Sequence, residues 1–98
     1  MTVTVIKPDG TEEERSLEIP KDSFVLEHIY PLIGETCNCV DLVNLRHMKK
    51  VMLVDDNGLW KDLPVNHKAT ALYHSVCRPG TTSPIVGNAV LLREEDFT

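Results

Sequence analysis

Val3, Val5 and Ile6 alternate with Thr2 and Thr4, a period-two pattern of β-branched residues that predicts a strand. Lys7-Pro8-Asp9-Gly10 follows with turn chemistry, and the return segment from Glu13 to Ile19 sets Leu17 and Ile19 against Glu14, Ser16 and Glu18. One face looks inward and one looks to water, so an antiparallel hairpin opens the chain. After Pro20 the period lengthens: Leu26, Ile29, Tyr30 and Ile33 recur at helical spacing behind Asp22 or Ser23 as N-cap. This helix is expected to stop between Pro31 and Gly34.

Thr36 to Leu45 alternates again, with Cys37, Cys39 and Asp41 on one side and Asn38, Val40 and Leu42 on the other. Lys49 to Asp55 instead holds the unbroken run Val51-Met52-Leu53-Val54, the pattern of a strand covered on both faces, and is expected at the centre of the sheet. Asp55-Asp56-Asn57-Gly58 predicts a tight turn and Leu59-Trp60 an extended segment. Asn66 is the expected N-cap of a second helix carrying Lys68, Ala69, Ala71, Leu72, Tyr73 and Val76, ended by Arg78-Pro79-Gly80. Thr81 to Pro84 reads as loop. Ile85 to Leu92 reads as a last strand, in which Gly87-Asn88 predicts a bulge or a close backbone approach. The order is ββαββαβ: a single α+β domain over residues 1–98, with a mixed, mainly antiparallel sheet of about five strands and two helices on one face.

An apolar fraction of 42% and a charged fraction of 26% are globular values and give no sign of disorder. The net charge of −5 changes the picture more, because gripping nucleic-acid phosphates needs a basic face. Its acidity gathers at Glu12 to Glu14 and Glu94 to Asp96, expected near loops, where it serves solubility. No stretch approaches the roughly 20 apolar residues of a membrane span, and the first residues lack a basic segment followed by an apolar one, so a cytoplasmic protein is expected. Three cysteines, Cys37, Cys39 and Cys77, lack a disulfide-framework spacing and fit free thiols.

Cys37-x-Cys39 and His74-x-x-Cys77 each place two soft ligands on one face, but neither matches a zinc-knuckle spacing. Thiols packing as small hydrophobes explain them better, and no metal or cofactor is expected. Cys77 with His74 is the best nucleophile–base pair, yet one helical turn does not aim a base at a thiolate and no nucleophile elbow accompanies it. His28, His47 and His67 stand alone on helix or loop positions and read as polar surface residues. A non-enzymatic protein is expected. Anion binding has better support: Arg78, Thr81, Thr82 and Ser83 combine a fixed cation with a small hydroxyl-rich loop, without the order of a P-loop. Asn66 and Lys68 mark a helix N-terminus whose amides and dipole favour anions. Trp60 reads first as a core plug, and with Tyr73 it is the candidate for a stacking surface.

The strand and Asp-Asn-Gly turn at Val54 to Gly58, Leu63-Pro64-Val65-Asn66, Ala69-Thr70-Ala71-Leu72-Tyr73 and Ile85-Val86-Gly87-Asn88-Ala89-Val90 resemble the family catalogued as domain of unknown function 3846. The hairpin and first helix fit its general plan less specifically. The family carries no established activity or catalytic residues. The resemblance implies a setting in bacteria, phages and plasmids, where small early-expressed proteins inhibit a host protein or sequester a signalling nucleotide. Two readings follow. In the first, Trp60, Asn66, Lys68, Tyr73, Arg78, Thr81, Thr82 and Ser83 hold a small anionic or nucleotide-like ligand, across a homodimer interface. In the second, the acidic face or a strand edge docks a host protein.

Overall fold

The computed structural model describes residues 1–19, 25–34, 37, 39–56, 58–77 and 83–97, with 25, 26, 59, 60 and 97 described by their backbone alone. The predicted caps Asp22 and Ser23, and Asn57 of the predicted turn, lie outside the described residues.

Strands β1 (Thr2–Ile6) and β2 (Glu12–Ser16) form the expected hairpin, closed by Gly10 at φ 93° and by the Lys7 N–H donating to the Thr11 carbonyl at 2.9 Å. Helix α1 (Val25–Ile33) contains Pro31 in its last turn and ends where the Gly34 N–H donates to the Tyr30 carbonyl. Strands β3 (Val40–Leu45) and β4 (Lys50–Asp55) make a second hairpin around a 3-10 turn, Arg46–Met48, and a left-handed Lys49 at φ 53°. Helix α2 (His67–His74), strand β5 (Ala89–Arg93) and a short helix α3 (Glu94–Phe97) complete the order, which is the predicted ββαββαβ with one small helix added. Leu59-Trp60 is not extended: Gly58–Lys61 is a 3-10 turn. α2 stops short of Arg78 because Ser75 turns its hydroxyl back to the Leu72 carbonyl, a local bond that competes with helix continuation.

The sheet runs β2-β1-β5-β4-β3. Every pairing among the described strands is antiparallel, so the mixed sheet of the sequence reading is corrected to a wholly antiparallel one. The middle position belongs to β5, inserted between the two hairpins, rather than to β4.

Consecutive residues of a strand point to opposite faces, and here both faces are apolar. Val3, Val5, Val51, Leu53, Val90 and Leu92 meet Ile29 and Ile33 of α1 on one face. Ile6, Met52, Val54, Ala89 and Leu91 meet Ala69 of α2 on the other, with Leu72 and Tyr73 packed against them. The two helices therefore lie on opposite faces, against the expectation of a shared one. The physical reason is in β4 and β5 themselves, since one helical layer cannot cover strands whose central residues are apolar on both faces.

Gly87 bears out the predicted close approach. Its φ is 74°, and a Cβ there would lie 2.9 Å from Leu63 Cδ1. Gly87→Ala therefore adds backbone strain and an overpacked contact, and should lower unfolding stability by about 2 kcal/mol and the melting temperature by roughly 10 °C. An unchanged melting curve would contradict the described backbone at this position.

Candidate functional site

Asn66 is the predicted N-cap, and its side chain is wholly buried. Its Oδ1 accepts the Ala69 N–H at 3.1 Å, while its Nδ2 donates to the Ile6 carbonyl at 2.8 Å and the Gly87 carbonyl at 2.9 Å. The amide is thus spent inside the protein and leaves no polar atom facing a ligand.

Tyr73 and Ser83 do come together. They line a small cleft of ≈ 150 Å³ with Asp41, Asp55 and Asp56, and His74 Nε2 lies 2.8 Å from the Ser83 carbonyl oxygen. Asp55 is buried and held by Lys61 Nζ at 2.7 Å. The Cys77 thiol beside Tyr73 pushes the phenol's pKa up, and burial adds to it, so Tyr73 stays a neutral donor. The carboxylates at this cleft oppose an entering phosphate. Lys68 does not join it: five positions from Tyr73 along α2, it points to the other flank of the helix and pairs with Glu12 at 2.9 Å. Trp60 is described only as backbone of the 3-10 turn, and Arg78, Thr81 and Thr82 lie outside the described residues.

The cysteines occupy separate environments. Burial, and secondarily the Asp55 charge, push the Cys37 thiol's pKa up, and its Sγ donates to the Cys39 carbonyl at 3.7 Å. Cys39 is exposed, with its Sγ 3.8 Å from Asp56 Oδ2. Among the described residues no three His, Cys, Asp or Glu side chains gather as metal ligands.

The half of the sheet face beside α2, left open by that helix, holds a group that the sequence reading missed. Among the described residues, Lys7, Arg15, Lys61, Lys68 and Arg93 each pair with a carboxylate. Arg46, Lys49 and Lys50 have no such partner among the described residues, and all stand at the β3–β4 hairpin end. Lys50 lines three adjoining hollows of ≈ 610, ≈ 510 and ≈ 420 Å³ on this face. Met48 is exposed and lines the first and the last. The signal was present in the run Arg46-His47-Met48-Lys49-Lys50, a basic cluster in an acidic chain.

A family model described as Domain of unknown function (DUF3846) matches residues 1–98. No curated protein and no solved structure matches. No helix among the described residues is long and apolar enough to cross a membrane.

The cysteine environments predict an order of reaction. Iodoacetamide near neutral pH should modify exposed Cys39 about tenfold faster or more than Cys37, because the thiolate is the nucleophile and burial both shields Cys37 and raises its pKa. Equal rates, read by peptide mass spectrometry, would contradict the burial of Cys37.

Proposed function

The chain belongs to the DUF3846 family, and on that premise we propose that it is a non-enzymatic binding protein that receives an anionic ligand on the open sheet face below the β3–β4 hairpin. The observation that carries this reading is Lys50, a cation without a carboxylate partner among the described residues, at the junction of three hollows. Like charges facing each other across two strands are unfavourable, and Lys50 sits directly opposite Arg93. Arg93 is relieved by Glu95 and Asp96, at 3.0 and 2.9 Å, whereas Lys50 is left for an external anion.

The floor of the face supports the same reading. Leu91 and Leu72 lie beneath and beside the cations, so a ligand can bury apolar surface while its charge stays at the rim. The hollows have the volumes of ordinary ligand sites. The non-enzymatic reading is supported by the groups nearest to chemistry: His74 Nε2 is engaged by a backbone carbonyl, and the Cys37 thiol by another. In the setting implied by the family resemblance, the protein acts in the cytoplasm as an accessory factor of a phage or mobile element. There it withholds a nucleotide-like signal or occupies a host protein as a counter-defence.

Thermal melting with tripolyphosphate, ATP, ADP-ribose and poly-glutamate tests the reading, because a ligand of the native state raises the melting temperature. At least one anion should stabilise the protein, the effect should shrink at about 0.5 M salt, and it should vanish in a variant combining Arg46→Glu, Lys49→Glu and Lys50→Glu. No shift with any anion, or an equal shift in the variant, would remove the reading.

A further inference from the structure

We infer that the ligand of this face is a short acidic polypeptide segment carrying one apolar side chain that seats on Met48, an inference resting on the anion-binding reading above. Met48 is 37% exposed, at the tip of a hairpin beside Lys49 and Lys50, which pair with no carboxylate among the described residues. An apolar side chain beside Lys49 and Lys50 answers to a partner that presents the same two chemistries. Methionine suits such a role, since its flexible, polarisable side chain adapts to the shape it meets.

Met48 and Lys50 together form the wall between two hollows. On one side are Lys49 and Arg93, with Glu94 and Glu95 at the rim. On the other are Thr4, Leu72 and Leu91, with Lys68 and Glu12 at the rim. A free phosphate compound uses the cations but gives Met48, Leu72 and Leu91 nothing to cover. A duplex or a membrane surface presents negative charge over a length far greater than the hairpin end. Glu12, Glu14, Glu94 and Glu95, which border the same hollows, would lie within a screening length of about 8 Å of those charges and repel them. A segment of a few residues can set its carboxylates against Lys49 and Lys50 and turn uncharged positions toward Glu12 and Glu94. Its carboxylates reach Lys49 and Lys50, and its apolar residue crosses the Met48 wall toward Leu72 and Leu91. The glutamates at the rim then act against longer polyanions, which is specificity by repulsion.

The test compares four probes by fluorescence competition: a peptide of aspartate and glutamate around one central leucine, the same peptide with alanine there, tripolyphosphate, and a short DNA duplex. The leucine peptide should bind about tenfold tighter than the alanine peptide and tighter than either phosphate probe. Met48→Ser should erase the difference between the peptides while leaving the circular dichroism spectrum unchanged. If the phosphate probes bind as well as the peptides, if the two peptides do not differ, or if Met48→Ser leaves their difference intact, this inference is overturned and the anion reading survives. If no anionic probe binds, both are overturned.

Discussion

The buried amide of Asn66 is the constraint on which the rest of the arrangement depends. Its side chain joins the end of β1, the approach to β5 and the first turn of α2 through three hydrogen bonds. The backbone of the same residue donates to the Ile85 carbonyl at 2.8 Å and accepts from the Thr70 N–H at 2.9 Å, while Thr70 Oγ1 accepts the Ile85 N–H. A buried amide left unpaired costs about as much as a substantial fraction of a small domain's net stability, so α2 has one satisfactory seat. That seat lies over Ile6, Val54 and Ala89, and Gly58 and Gly87 let the flanking segments close in on Val86 and Leu63. The rest of this sheet face, at Thr4, Lys50 and Arg93, lies outside the cluster that α2 covers.

Charge is arranged around that division. The outer strand β2 is occupied by Glu12, Glu13, Glu14 and Arg15, tied to Lys7 and Lys68. Such a strand is a poor template for pairing with another chain, which suits an edge exposed to solvent. Asp55 is neutralised by Lys61 near the opposite edge. Among the described lysines and arginines, those that pair with no described carboxylate gather at the end of the second hairpin. An acidic protein can thus carry a local anion site, because net charge describes the molecule and short-range screened interactions describe the site.

Much of this fold is legible in the chain. The Thr–Val alternation, the Lys7 to Gly10 turn, the cap at Asn66 and the special backbone at Gly87 each depend on neighbours in sequence, and each is found in place. The position of α2 relative to α1 is a different kind of property. Val51-Met52-Leu53-Val54 shows that two faces need cover, but which helix covers which face depends on strand order, and strand order rests on the long-range pairing of β5 with β1. Asn66 is legible as a cap and not as a hub, since the carbonyls of Ile6 and Gly87 are distant in sequence. The grouping of Lys68 with Tyr73 fails on helical geometry alone, because five residues rotate a side chain well around the axis. The basic run at the hairpin is legible as composition, while its lack of carboxylate partners depends on where every acidic side chain folds.

Equilibrium denaturation and amide hydrogen exchange of Asn66→Asp test the role of this residue most directly. Aspartate keeps the shape and the acceptor for the Ala69 N–H but cannot donate to Ile6 or Gly87. The expected result is a loss of about 3 kcal/mol or more, with the amides of α2 and of the Ile85 to Gly87 segment exchanging faster than those of β4. A variant within about 0.5 kcal/mol of the parent protein, with α2 as well protected as before, would contradict the account that this amide seats the helix on its part of the sheet.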